Sequence, residues 1–175
     1  MKKVILILLA AVLAGSFAFG QVSARGGQFG LQGGVIFTSI GANPEAIGVK
    51  YMINDAIALR ADVGIKQYSS SVTSNTQMVY DLGVGLEYHF AGKGGVSPYI
   101  GALFNYSSES FSPSVPTPSD LGIMALFGGE FFFSSNFSWA GEARVGFDTY
   151  KAPSGATSTT IGTYGFATFL TYYFN

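Results

Sequence analysis

The sequence has no cysteine, one histidine, one tryptophan and few charges: nine Lys and Arg and ten Asp and Glu among 175 residues, or 11%. Without cysteine there are no disulfides, no thiol nucleophile and no cysteine-ligated metal, and the redox compartment is left open. A lone His89 supplies no metal-ligand spacing. An ordinary soluble domain carries roughly 25% charged residues, so the shortage argues against an ordinary soluble enzyme. The net charge of −1 gives no electrostatic basis for nucleic-acid binding. Collagen-like and disordered chains are excluded as well, because there is no G-X-Y period and 48% of residues are hydrophobic. After residue 20 no apolar run approaches the ~20 residues of a membrane-spanning helix. What is abundant is glycine, at 24 residues, and aromatic side chains, at 15%. At this length one domain is expected.

Residues 1–20, MKKVILILLAAVLAGSFAFG, read as a secretory signal peptide: two lysines, an apolar run from Val4 to Ala14, then small residues spaced for cleavage. Cleavage after Ala18-Phe19-Gly20 is preferred to cleavage after Val22-Ser23-Ala24. The expected organisation is therefore a signal at 1–20 and a single β-domain at 21–175. Export combined with a strongly apolar mature chain and no spanning helix sets up a tension that periodicity resolves.

From Arg25 onward the chain divides into eight stretches of period two, the signature of strands. Met78, Tyr80, Leu82, Val84, Leu86, Tyr88 and Phe90 share one face, against Val79, Asp81, Gly83, Gly85, Glu87 and His89. Ile57, Leu59, Ala61, Val63 and Ile65 oppose Arg60, Asp62, Gly64 and Lys66; Trp139, Ala143, Val145 and Phe147 oppose Glu142, Arg144, Gly146 and Asp148. The other stretches run roughly over 28–39, 45–53, 97–106, 121–133 and 159–174, with Leu103, Leu126 and Phe132 falling on the polar face. An all-β, eight-stranded antiparallel up-and-down barrel is expected. Its interior is just wide enough to be filled by side chains, which suits the face that mixes glycine with charge. The aromatic face would overfill that space, and the opposite face would carry too few charges for solubility. The apolar face is therefore assigned to lipid, since a closed barrel satisfies its own backbone in a bilayer.

Connections after strands two, four and six read as short turns (54–55, 91–96, 134–137). Those after strands one, three, five and seven read as polar and mostly longer loops (40–44, 68–77, 107–120, 151–158) that hold five of the six prolines. Short turns on the periplasmic side and longer loops outside place both termini in the periplasm. Phe29, Tyr51, Tyr88, Phe90, Phe131, Phe133, Trp139, Tyr172 and Phe174 are expected to form one aromatic girdle, and Phe37, Tyr80, Tyr106, Phe147 and Tyr164 the other.

The stretches GVKYMINDAIALRADVGI (48–65), GVGLEYHF (83–90) and GGEFFFSSNFSWAGEARVGF (128–147) resemble the strand-turn-strand pattern of small bacterial outer-membrane β-barrels. This porin-like family is similar to the transmembrane part of outer membrane protein A and to outer membrane protein X. The resemblance covers nearly the whole mature chain. It implies a bacterial outer-membrane location and partners in outer-membrane lipid, periplasmic chaperones and the barrel-assembly machinery. Family members usually end in an aromatic residue, whereas here Phe174 is penultimate. Membrane-stabilising proteins, adhesins, small channels and a few lipid-modifying enzymes share the pattern, so it implies no single activity.

The polar face gathers Asp62, Asp81, Glu87, Glu130, Glu142 and Asp148 against Lys50, Arg60, Lys66 and Arg144, with His89 nearby. Charges on lipid would cost ~2–4 kcal/mol each near the midplane, so these are expected to interlock inside the barrel. Arg60 and Arg144 would be the gates if the network were a switchable path. His89 has no serine beside it in a nucleophile pattern and reads as a lumen filler. No catalytic, cofactor or metal residues are assigned. In the Ser- and Pro-rich stretch 107–120, Phe111 and Val115 are the expected contacts for a host or surface ligand. The resulting expectation is a non-enzymatic barrel with a structural or surface-interaction, adhesin-like role. The alternatives are a small-solute porin or gated channel, a lipid-modifying enzyme and a soluble lipid carrier.

Overall fold

The computed structural model describes residues 25–38, 41–70, 75–92, 95–110 and 117–174. The expected signal peptide and the contact candidates Phe111 and Val115 lie outside the described residues. Eight strands follow one another: β1 (Phe29–Thr38), β2 (Gly41–Met52), β3 (Ile57–Ser70), β4 (Asn75–His89), β5 (Val96–Ser110), β6 (Ser119–Phe132), β7 (Phe137–Lys151) and β8 (Thr157–Phe174). Each pairs antiparallel with the next, and β8 closes on β1 through Phe29↔Phe174 to Phe37↔Phe166. Among the described residues no helix is long and apolar enough to cross a membrane, which says nothing about strands.

The two faces separate as the period-two pattern requires. Leu82, Val84 and Leu86 are about half exposed on the outside, while Gly83, Gly85 and Glu87 are buried within. This orientation overturns the soluble-carrier alternative, which needs the apolar face inside. Leu103, Leu126 and Phe132, which break the polar pattern, are buried core: Leu103 and Leu126 pack with Met124, and Phe132 packs with Met52, Ala58 and Tyr173. Glycines on the inner face make room for this filling. A Cβ at Gly34 would stand 2.3 Å from the Phe169 ring, and one at Gly128 would stand 2.4 Å from the Tyr99 ring.

Three departures from the sequence reading have local causes. Register slips between Arg144 and Val145, where Arg144 faces Gly165 but Val145 faces Thr163, so Tyr164 is the extra residue of a β-bulge. Gly165, at φ 101°, takes the backbone conformation that the bulge requires. The bulge turns Tyr164 inward, against Leu103, Met124 and Leu126, with its hydroxyl donating to Asp148. Tyr164 is therefore not part of an outer girdle, whereas Tyr80, Tyr106 and Phe147 are exposed as expected. The side chain of Phe37 is outside the described residues.

Second, the expected loops are largely strand. Gly41–Pro44 belong to β2, β3 reaches Ser70, β4 starts at Asn75, and β5 and β6 remain paired out to Ser108↔Ser119. Loop length therefore does not distinguish the two ends; strand overhang does.

Third, Pro44 lies within a strand, opposite Val35. Pairing of β2 with β3 begins only at Ile47↔Val63, so Pro44 sits on a stretch bonded along one edge, where its missing N–H breaks no ladder.

Candidate functional site in the barrel interior

The charges converge because inward parity at one height of the barrel places them there. Lys50 on β2 faces Arg60 on β3 across the ladder, Arg60 faces Gly85, and Glu142 on β7 faces Gly128 on β6. The small partners leave the centre open to long side chains. Arg60 is the hub: Nη1 donates to Glu87 and to Glu142 at 2.9 Å each, and Nη2 donates to the other Glu142 oxygen at 3.1 Å. Its Nε lies 3.1 Å from Asp62 Oδ2, held by charge rather than by hydrogen-bond geometry. Lys50 bridges Glu87 at 2.7 Å and Glu130 at 2.8 Å, and Arg144 Nε donates to Glu142 at 2.8 Å.

Neutral groups complete the shell. Gln32 donates to Asp62 at 2.6 Å, Tyr99 to Glu142 at 2.7 Å, Tyr173 to Glu130 at 2.8 Å and Ser138 to Glu130 at 2.5 Å. The guanidinium groups of Arg60 and Arg144 lie 5.0 and 5.6 Å from the centroid of Phe169, and Lys50 Nζ lies 5.3 Å from that of Tyr99. Every strand contributes: Gln32, Lys50, Arg60, Glu87, Tyr99, Glu130, Glu142 and Tyr173 come from β1 to β8 in order. Taking charges out of water costs several kcal/mol per ion, and only dense pairing of this kind offsets it.

Seven of the ten expected network residues thus meet: Lys50, Arg60, Asp62, Glu87, Glu130, Glu142 and Arg144. Asp81 and Asp148 belong to a separate level of the barrel. Both lie further along their strands, toward the end opposite the termini, with Asp120 within electrostatic reach of each. Lys66 faces Val79 at that same end, and its side chain is outside the described residues. Between the two levels is a cavity of only ≈ 20 Å³, lined in part by Asp62, Asp81, Leu103, Arg144 and Phe169. That is room for about one water molecule.

The sequence reading missed Gln32, Tyr99, Ser138 and Tyr173, although strand parity places all four on the inner face. It also missed Ser97. Contrary to expectation, His89 does have a serine beside it: Ser97 Oγ is 3.1 Å from Nδ1, while Nε2 is 3.0 Å from Glu87 Oε2. The two residues are eight apart and meet across the β4–β5 hairpin, where His89 faces Tyr99. Among the described residues no group of His, Asp and Glu is arranged to hold a metal ion.

No protein-family model and no curated protein matches the sequence. Solved structures do resemble it. Neisserial surface protein A aligns at 18% identity with a TM-score of 0.50, covering 84% of this chain and 95% of that one. The N-terminal β-barrel domain of Pseudomonas aeruginosa OprF aligns at 18% identity and a TM-score of 0.41, covering 84% and 96%. The outer membrane protein AlkL aligns at 12% identity and 0.43, covering 90% and 94%. The fold is that of the small eight-stranded outer-membrane β-barrels.

Proposed function

We propose that this chain is an integral protein of a bacterial outer membrane, with both termini periplasmic, a structural plug of buried charge, and a surface-interaction, adhesin-like role at its outer end. The supporting observation is the pairing of a continuous apolar outer surface with a saturated interior. From Tyr80 to Phe90, at ~3.3 Å per residue and a tilt of about 40°, the outward side chains of β4 cover ~25 Å, the height of an outer-membrane apolar band. Inside, each carboxylate of the layer has more than one partner, and little void remains for a permeant solute.

In this reading the lipid-facing belt partners outer-membrane lipid, and the chain reaches the membrane by way of periplasmic chaperones and the barrel-assembly machinery. The charge layer is structural in this reading, and the chain binds no nucleic acid. Phe111 and Val115, in the connection between β5 and β6, are the proposed contacts for a host or surface ligand. Expression in a bacterial host tests the reading. The protein should fractionate with the outer membrane, require detergent for extraction, and confer binding to host cells or matrix that disappears when residues 111–117 are replaced by Asn-Gly. Extraction without detergent contradicts the membrane assignment; binding that survives the replacement contradicts the loop assignment.

The second reading is a gated narrow channel. It draws on one feature, that Arg60 Nη1 already bridges Glu87 and Glu142 and so has two acceptors between which to move.

A further inference from the structure

We infer that Ser97, His89 and Glu87 form an acyl-transfer site at the end of the barrel nearest the termini, with Ser97 as nucleophile toward short, uncharged acyl esters. This would add an activity to the otherwise non-catalytic barrel proposed above, and it does not depend on the surface role.

The partners of Glu87 and His89 define the form in which the three groups would react. Glu87 is held by Lys50 at 2.7 Å and Arg60 at 2.9 Å, which keep it an anionic acceptor. His89 Nε2, 3.0 Å from Glu87, must therefore carry the proton in the neutral ring. In the neutral ring that leaves the Nδ1 lone pair facing the Ser97 hydroxyl at 3.1 Å, with Glu130 Oε2 3.9 Å from the same nitrogen. A serine bonded to an imidazole lone pair, with the imidazole oriented by a carboxylate, is the arrangement that activates a hydroxyl for acyl transfer. The Phe90 carbonyl, at a longer 3.4 Å, is a weaker competing acceptor for that hydroxyl.

Access points the same way. The rest of the charge layer is closed, but this corner ends at a cavity of ≈ 300 Å³ whose lining includes His89, Ser97, Asp55, Ala56, Ala91 and Val96. That volume lies at the lower end of the range for small-molecule sites, about 300–1,000 Å³. Its walls come from the β2–β3 and β4–β5 turns and the adjoining ends of β4 and β5, including the outward rings of Tyr88 and Phe90, so it opens at the rim of the barrel at this end. The small volume, and a lining that sets one carboxylate, Asp55, among Ala56, Ala91, Val96 and the rings of Tyr88 and Phe90, favour a short neutral acyl group over a fatty-acid anion. Gly92 helps to shape the cavity: a Cβ there would fall 2.0 Å from the Val96 carbonyl oxygen, so only glycine lets the turn lie flush against the start of β5.

The reaction balances without a further reactant. Ser97 Oγ attacks the ester carbonyl carbon as its proton passes to His89 Nδ1, and the imidazolium is stabilised by Glu87. The tetrahedral adduct collapses with cleavage of the C–O bond. The departing alkoxide takes the proton from Nδ1 and leaves as the alcohol, with the acyl group on Ser97. A water then adds to the acyl carbon and gives its proton to Nδ1, which returns it to Ser97 as the carboxylic acid is released. Glu87 acts here as a positioning residue.

The test uses the full mature chain refolded in detergent, with the mobility difference between boiled and unboiled samples confirming the barrel. A fluorophosphonate probe should label the folded protein at Ser97, as read by peptide mass mapping. Labelling should fall at least tenfold in Ser97→Ala and His89→Gln, and hydrolysis of p-nitrophenyl esters should be faster for butyrate than for palmitate. Glu87→Gln should lower the labelling rate and alter its pH profile, and Glu87→Asp should partly restore both. Should a variant fail to form the barrel, Ser97→Cys supplies an independent readout, because the chain has no other cysteine. Its thiol should react with iodoacetamide in the folded state. A folded wild-type protein that stays unlabelled, a label that maps elsewhere or persists in folded Ser97→Ala, or a thiol in Ser97→Cys that is protected until unfolding would overturn the assignment.

Discussion

The two halves of the barrel are built from the same alternation but solve different problems. In the half nearest the termini, Lys50, Arg60, Glu87, Glu130 and Glu142 are almost fully buried, and their hydrogen bonds tie strands that are distant in sequence: Arg60 to Glu142, Lys50 to Glu130, Tyr173 to Glu130. In the opposite half the described interior polar groups are partly exposed, carboxylates predominate among them, and contacts such as Gln77 to Glu109 and Tyr164 to Asp148 join adjacent strands. The wall differs too. The first hairpin is short, so among the described residues β8 from Thr157 to Gly165 pairs with β7 alone, and β3 from Gly64 to Ser70 pairs with β4 alone. One half is cross-braced by buried charge, and the other is a set of paired hairpins whose described contacts stay between neighbouring strands. Similar charges have different consequences in the two, because burial determines what it costs to leave a partner behind.

The largest expected effect is in the plug. Arg60→Ala takes one partner from each of three buried carboxylates, Asp62, Glu87 and Glu142, and removing one partner of a buried pair typically costs about 3–5 kcal/mol. Urea unfolding in micelles should show that loss. Leu86→Arg, on the outer face that the proposed function assigns to lipid, should cost ~2–4 kcal/mol in lipid vesicles, falling if the position lies closer to the interface than to the midplane. A Leu86→Arg variant that inserts as efficiently as wild type would mean that the outer face is misassigned. Gly128→Ala should displace the Tyr99 ring from Glu142 at a cost of about 1–3 kcal/mol, with a change in near-ultraviolet circular dichroism as Tyr99 moves. In the other half, Asp148→Asn should change the unfolding free energy by about 1 kcal/mol or less, because the group is half-buried and its tyrosine partner can still hydrogen-bond to the amide. A cost there equal to that of Arg60→Ala would erase the distinction between the halves.

The same difference governs what is legible in the sequence. Strand number, antiparallel order and the inner and outer faces follow from period two, as in the stretch from Met78 to Phe90, where seven apolar side chains fall on one parity. Seven of the ten proposed lumen charges meet because they share parity and height. Height requires register, and register depends on hairpin geometry that no residue pattern announces, so Asp81 and Asp148 cannot be separated from the plug in advance. Tyr164 is hidden by a bulge: one extra residue reverses parity, and Gly165 is one glycine among 24. The pairing of His89 with Ser97 is hidden for a related reason. They are neighbours across a hairpin, and period two along a single strand carries no information about the next. The overhanging strands read as loops because Ser, Thr and Pro there favour turns by composition, yet paired hairpin edges carry them as strand.

Single-channel recording tests the central claim, that the buried charge layer is a structural plug, most directly. The mature chain, refolded in detergent and shown to be folded by its gel mobility, would be placed in a planar bilayer at several voltages. The plug predicts a silent membrane from folded wild-type protein. Reproducible discrete conductance steps, altered by Arg60→Ala or Arg144→Ala, would contradict it and make the same residues a gate.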